Sequence, residues 1–266
     1  MKIFISADIE GVTTTTTWDE ANPSNPAYRA HAKQMTDEVI VCIEGAKSAG
    51  AREIVVRDAH GYTATNIDPT QMPSGVKLLR NWSGHPYGMA EGIDNTFNAA
   101  FFVGYHSAAS KPGNPLSHTM STKVAYIKIN DMITSEFILY SYACALEGVP
   151  TVFLSGDKML CEDSSALHPN LITCPVKEGV GAMTINYSIK DTLTSIKELS
   201  EKALKQDLSN AVLKLPAEFN VEVCYNQHIR AENVSWFPGV VKKDSYTVTF
   251  NANDYFEVLR TLRWIV

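Results

Sequence analysis

Six side chains able to bind metal ions or move protons stand at or beyond the ends of apolar runs in this sequence: Asp8, Glu10, His60, His106, His118 and Glu136. The first two lie in Ser6-Ala7-Asp8-Ile9-Glu10-Gly11. The preceding run Lys2-Ile3-Phe4-Ile5 is apolar and β-prone, as expected of a strand buried on both faces of a parallel sheet. In extended backbone, residues two apart face the same side. Asp8 and Glu10 should therefore emerge together, with Gly11 letting the chain turn away. Two unpaired carboxylates that close repel each other and favour a cation between them. Taken alone, the stretch reads equally as a strand end with two solvated acids.

The other four candidates fall in comparable places. Glu53-Ile54-Val55-Val56-Arg57 is a second strand, ending in Asp58-Ala59-His60-Gly61. Ala99 to Tyr105 is a third, ending at His106. His118 lies in the loop beyond, and Glu136 opens a helix. A lone strand-end histidine is more often structural than ligating; the argument here rests on several coinciding at the edge where open α/β sheets bind ligands. Carboxylate and imidazole without thiolate suit Zn²⁺ or Mn²⁺ at a catalytic site. Three carboxylates and two histidines exceed one open tetrahedral centre and suit two ions sharing a carboxylate. Asp58 and Asp157 read either as partners orienting a ligand histidine or as acids bonding their own turns. His31, His85, His168 and His228 read as surface or structural, Asp94 as a helix cap. Ser117 lacks a nucleophile elbow.

These residues need a scaffold, and the pattern supplies one. Asn25-Pro26 opens a helix carrying Met35, Val39, Ile43 and Ala46 on one face and ending at Gly50, which completes a strand–helix–strand unit. Residues 77–79, 149–154 and, weakly, 173–176 read as further strands. Tyr126 to Thr134 reads as a hairpin turning at Asn130-Asp131. The expected fold is α/β: a doubly wound, mainly parallel sheet in a three-layer arrangement with a smaller C-terminal α+β unit. The helix over 191–208, strands at 219–224, 240–241 and 246–250, and a closing helix over 254–264 place the boundary near Ser188. Residues 1–187 form the expected metal-binding domain and 188–266 the smaller one, a candidate for oligomer contacts. Thr13 to Thr17 reads as a polar surface loop, with pocket-shaping the alternative.

Composition narrows the class. A chain of 266 residues, 45% hydrophobic and 20% charged, can bury a large core. A net charge of −6 gives no basic footprint for nucleic acid. No run is long and apolar enough for a signal peptide or membrane helix. The 5 cysteines form no CxxC pair. They read as reduced thiols and point to the cytoplasm.

The sequence resembles the DppA-type binuclear zinc D-aminopeptidase family along essentially its whole length. The matching motifs are S-A-D-I-E-G (6–11), M-T-D-E-V (35–39), D-A-H-G (58–61), A-E-G-I-D-N-T-F (90–97), V-G-Y-H-S (103–107), L-S-H-T-M (116–120), I-N-D (129–131) with Glu136, and S-G-D (155–157). F-P-G-V (237–240) and N-A-N-D-Y-F-E (251–257) are similar too. The resemblance implies two Zn²⁺ per subunit, with Mn²⁺ or Co²⁺ as substitutes. It implies Asp8 as the bridge, Glu10 with His106 on one zinc, His60 with Glu136 on the other, and His118 as the catalytic histidine. It further implies a zinc-activated water hydrolysing short peptides with an N-terminal D-residue, such as D-Ala-D-Ala, in a ring-like homo-oligomer. Histidine suits proton transfer near neutral pH.

Two departures bear on substrate preference. Similar sequences carry small residues or glycine where this chain has Thr13 to Thr17, and an arginine where it has Ala182 after Gly181. Two rivals share the ligand set: a phosphoester hydrolase, against which stands the lack of a glycine-rich phosphate cradle, and a catalytically silent dipeptide-binding protein.

Overall fold

In the computed structural model of the protein, which describes residues 1–168 and 170–266, the strand ending before Asp8 is the centre of the larger of two sheets. In chain order the first half comprises β1 (Lys2–Ala7), α1 (Trp18–Ala21), α2 (Tyr28–Ser48), β2 (Glu53–Asp58), β3 (Val76–Leu79), β4 (Ala99–Tyr105), β5 (Val124–Ile129), β6 (Met132–Ile133) and α3 (Glu136–Leu146). The second comprises β7 (Thr151–Asp157), α4 (Lys158–Leu167), β8 (Ile172–Val180), β9 (Met183–Asn186), α5 (Ile189–Lys205), β10 (Phe219–Tyr225), α6 (His228–Val234), β11 (Val241–Lys242), β12 (Thr247–Ala252) and α7 (Tyr255–Ile265).

The larger sheet runs β3-β2-β1-β4-β7-β8-β9, parallel up to the antiparallel β8–β9 hairpin. β1 and β4 are buried almost end to end, which explains why they read as continuous apolar runs and not as alternating ones. On one face Ile3, Ile5 and Val103 pack with Met35, Val39 and Ile43 of α2 and Ile196 of α5. On the other, Phe4, Phe102 and Leu154 pack with Phe137, Leu139 and Ala143 of α3. Helix, sheet and helix thus form the expected three layers. From β1 the order steps outward to β2 and β3 on one side and to β4, β7 and β8 on the other. The direction of winding therefore reverses between β1 and β4, the place where such sheets open a crevice at the carboxyl ends of their strands.

The second sheet is antiparallel, in the order β11-β12-β10-β5-β6. Asn130 and Asp131 both take positive φ, 49° and 66°, in the two-residue turn between β5 and β6, as hairpin twist demands. This sheet departs from the expected division at residue 188. It takes β5 and β6 from inside the first segment, whereas α5, beyond the boundary, packs on α2 against the larger sheet. The change of sequence character near Ser188 is therefore not a break in packing. Four further elements carry no pattern strong enough to be expected: α1, α4, β9 and α6. β8 also extends to Val180, well past the four residues expected, because β9 folds back on it.

Candidate metal centre

The register of the larger sheet aligns the ends of three strands. Ala7 lies opposite Asp58 on one side and Val103 on the other, so the residues just beyond each strand converge. Two glycines let the backbone close up there. A Cβ on Gly11 would stand 1.8 Å from the Tyr105 carbonyl oxygen, and one on Gly104, where φ is +72°, would stand 2.4 Å from that of Asp8. Gly11 donates its N–H to the Gly104 carbonyl at 2.8 Å. Gly11 is therefore required by close approach to β4, not by the turn the sequence suggested.

Asp8, Glu10, His106 and Glu136 are buried and His60 nearly so. His60 Nδ1 lies 2.9 Å from Glu10 Oε2 and 3.5 Å from Asp8 Oδ1. His106 Nε2 lies 3.4 Å from Asp8 Oδ2 and 3.3 Å from Glu136 Oε2. The two oxygens of Asp8 thus face two different imidazoles. Asp8, Glu10 and His60 offer ligand atoms in one cluster, and His106, His118 and Glu136 in another. The two clusters group the side chains differently from the partition the resemblance implies: Glu10 stands with His60, and His106 with Glu136. The reason is topological. β2 delivers His60 on one flank of β1, while β4 and the start of α3 deliver His106 and Glu136 on the other.

Each histidine is held by its second ring nitrogen on a backbone carbonyl: His60 Nε2 on Ala21 at 2.8 Å, His106 Nδ1 on Ser107 at 3.0 Å, His118 Nδ1 on Leu116 at 2.9 Å. Such bonds fix the tautomer and aim the free nitrogen at the cluster. Asp58 and Asp157 have the other of their two readings. Asp58 accepts from the backbone N–H groups of Asn66 and Ile67. Asp157 caps α4 and accepts from Ser107.

The buried carboxyls and imidazoles set one another's charge. Burial, reinforced by the Glu10 charge, holds the Asp8 carboxyl well above the usual carboxylate range. Burial also opposes ionisation of Glu10, yet His60 beside it pulls that carboxyl well below its ordinary value. Glu136 is lowered in the same way, by His118 and His106 against the effect of burial. Burial resists charging His106, but Glu136 and Asp8 raise it to about 10. Asp8 Oδ2 and His106 Nε2 are buried with no hydrogen bond, and Glu10 Oε2 has only the His60 ring beside it, a costly condition for polar atoms around one space. Hard oxygen and imidazole donors left unpaired in this way fit divalent zinc.

His118 reaches the same pocket. Its ring stacks on that of His106, with centroids 4.3 Å apart and planes 12° apart. Nε2 lies 3.6 Å from Glu136 Oε1, and Trp18 packs edge-on against it at 5.3 Å. Its side chain keeps 14% exposure where that of His106 has none.

The threonine run is not the surface loop expected. Thr13 and Thr15 are fully buried, and Thr13 donates its N–H to Glu38 Oε1 of α2 at 2.9 Å. Behind it lies a residue the sequence reading missed. Lys177 of β8 is fully buried, and its ammonium donates to the carbonyl oxygens of Glu10, at 2.6 Å, and Thr15. Burial lowers its pKa to about 8. Asn114 Nδ2 donates to the same Glu10 carbonyl at 3.0 Å. A lysine directly after the weak apolar run ending at Val176 was the only sequence signal for this contact.

Buried carboxylates and imidazoles at the switch point of a parallel sheet are the arrangement of a metal-dependent hydrolase. Residues 1–264 match the peptidase M55 family of D-aminopeptidases, and the chain belongs to that family. It is 29% identical over 269 residues to a D-aminopeptidase of Bacillus subtilis strain 168, covering 98% of this chain and 95% of that one. Its structure is similar to that of the Zn-dependent D-aminopeptidase DppA from Bacillus subtilis, described as a self-compartmentalizing protease. The TM-score is 0.93 at 27% identity, over 100% of this chain and 96% of that one.

Proposed function

We propose that this protein is a zinc aminopeptidase that releases an N-terminal D-residue from short peptides such as D-Ala-D-Ala, with two zinc ions held by Asp8, Glu10, His60, His106 and Glu136. The observation that carries the reading is the convergence of buried Asp8, Glu10, His60, His106 and Glu136, with Asp8 Oδ2 and His106 Nε2 making no hydrogen bond, in a member of the D-aminopeptidase family. Zinc bound there would act as a Lewis acid toward the scissile carbonyl and would lower the pKa of a water. Asp8 spans both halves with one oxygen each. Glu10 and Glu136 supply negative charge that also favours the free α-ammonium of a substrate, the basis of exopeptidase selection. His118, with Nδ1–H fixed on Leu116, presents a bare Nε2 that would accept the proton of the attacking water and then pass it to the leaving amine nitrogen. Trp18, packed edge-on against it, and the threonine loop that precedes Trp18 are the first places to seek side-chain preference.

A homo-oligomer is part of this reading, supported by the relative's self-compartmentalizing assembly. A cytoplasmic location stays with it, and the 5 cysteines are all free thiols. Among the described residues no helix is long and apolar enough to cross a membrane.

The test combines zinc analysis with turnover of D-Ala-D-Ala, its N-acetyl derivative, L-Ala-L-Ala and p-nitrophenyl phosphate. The expected result is zinc-dependent cleavage of the free D-dipeptide and little of the others. Equal rates on free and acetylated peptide would end the exopeptidase assignment. Preference for the phosphate ester would replace it with a phosphoester hydrolase, and inactivity of the zinc-loaded protein on every substrate would favour a silent dipeptide binder.

A further inference from the structure

We propose that a cavity beside β2 and β3, separate from the metal cluster, is a second binding site for an amino-acid-sized zwitterion, with Arg57 receiving its carboxylate and Glu91 its ammonium. The cavity measures about 860 Å³, within the range of small-molecule sites. Its floor is a buried arginine with donors to spare. Arg57 is only 2% exposed, and its Nη1 donates to the Asn81 carbonyl at 2.6 Å. Nε and Nη2 have no partner. Those two N–H groups form the side edge of the guanidinium fork, the edge that meets both oxygens of a carboxylate at once.

The fork is held in place before any ligand arrives. The Trp82 ring covers the guanidinium at 4.1 Å. The Trp82 indole N–H donates to the Gly61 carbonyl at 2.8 Å, so the ring itself is pinned. Glu91 Oε2 stands 3.7 Å from Arg57 Nη2, too far for a hydrogen bond but near enough to set a negative charge beside the fork. It also receives the Ser83 N–H at 3.4 Å. A buried cation with two unsatisfied donors under the Trp82 ring and a carboxylate beside it matches the carboxylate and ammonium of an α-amino acid, whose charges are similarly adjacent, once the ring gives way. Asp94 and Glu147 also line the cavity and with Glu91 outweigh Arg57 and Arg80, which makes a phosphate dianion a poor occupant, and Ile93 and Phe256 offer an apolar surface for a side chain.

The site does not depend on the proposed peptidase chemistry, but it touches the same loop. Gly61, which accepts from Trp82, follows His60 directly. A ligand seated on Arg57 would therefore press on a ring bonded to the loop that aims His60. The products of an aminopeptidase carry the chemistry this cavity selects, which makes feedback by released amino acid its expected use.

The experiment is isothermal titration of the zinc-loaded protein and of Asp8→Asn with D-alanine, D-phenylalanine, propionate and inorganic phosphate. The two amino acids should bind saturably to both proteins, more tightly than propionate, and phosphate weakly. Arg57→Gln should weaken amino-acid binding at least about tenfold, as loss of hydrogen bonds to a charged group implies. Glu91→Gln should weaken the amino acids and spare propionate. No amino-acid binding to Asp8→Asn would mean that Glu91 alone satisfies Arg57, and would overturn the proposal. Propionate or phosphate binding as tightly as alanine would reduce the cavity to an anion site and overturn it too. Should Arg57→Gln fail to fold, Glu91→Gln decides: unchanged alanine affinity there removes the zwitterion assignment. Activity of the zinc-loaded enzyme enters none of these readings.

Discussion

The two halves of the candidate metal centre are built differently. On one side Asp8 and Glu10 come from the turn directly after β1, and His60 from the turn after β2. This half is rich in carboxylate, and its backbone is gripped from behind by Lys177 and Asn114. On the other side His106 follows β4, His118 sits in a loop, and Glu136 is the first residue of α3, where the helix dipole favours its charge. That half is rich in imidazole, and one of its rings retains access to solvent. Carboxylates fixed by strand ends suit holding an ion. A stacked pair of imidazoles, one sealed and one accessible, suits a division between holding an ion and moving a proton. Asp8 is the side chain with an oxygen toward an imidazole of each half.

The largest effect should come from the residue the halves share. Asp8→Asn removes a charge facing both His60 and His106, so both zinc ions should be lost together and turnover should fall below detection. Glu10→Gln should empty chiefly the His60 side, and His106→Gln chiefly the Glu136 side. Zinc content per chain and stepwise zinc titration report all three variants. Joint loss from Glu10→Gln, as from Asp8→Asn, would dissolve the distinction between the halves.

The next effect separates binding from chemistry within the imidazole-rich half. His118→Gln should leave both ions bound and the fold intact, because Glu136 and His106 remain to hold theirs. The turnover number should drop by roughly 10²–10⁴, the usual contribution of a positioned proton-transfer group, with a smaller change in KM. Loss of one zinc from this variant would make His118 a ligand. An unchanged rate would return it to the structural histidines, beside His168, which burial holds near a pKa of about 4.

How far the sequence disclosed these halves follows from how each is built. Strand-end residues announce themselves, because a buried parallel strand is a continuous apolar run and whatever follows it stands at the crevice. Asp8, Glu10, His60 and His106 could be placed at one sheet edge in that way, as could the three layers and the β5–β6 hairpin. Which ligands share an ion could not, since that depends on whether β2 and β4 lie on the same side of β1, and strand order has no local signature. The resemblance implies Glu10 with His106, whereas the geometry places Glu10 beside His60. The threonine run misled for a related reason. Its side chains are polar and its residues look like a loop, but burial was decided by groups far along the chain, Glu38 on α2 and Lys177 on β8. The β8–β9 hairpin and the packing of α5 on α2 likewise undid a boundary that composition alone suggested.

The smallest effect tests why the carboxylate-rich half is rigid. Lys177 is a buried ammonium whose hydrogen bonds go to two carbonyl oxygens, and its low pKa records the cost of burying its charge. Replacing it with methionine relieves that desolvation but leaves the Thr15 carbonyl without its donor and Glu10 with Asn114 alone. These changes oppose each other, so thermal stability should move little. The position of Glu10 should not be so indifferent. A carbonyl released from its anchor loosens the side chain two bonds away, and partners behind a ligand typically contribute 10–100-fold to metal affinity. Lys177→Met should therefore weaken the zinc site at Glu10 and His60 by about that factor and leave the site at His106 and Glu136 as it was, read as a shift in one phase of a two-phase zinc titration. Lys177→Arg, which restores a donor but overfills the space, should recover part of the loss. A uniform shift of both phases would mean that the lysine supports the fold generally and that the two halves do not differ in how they are held.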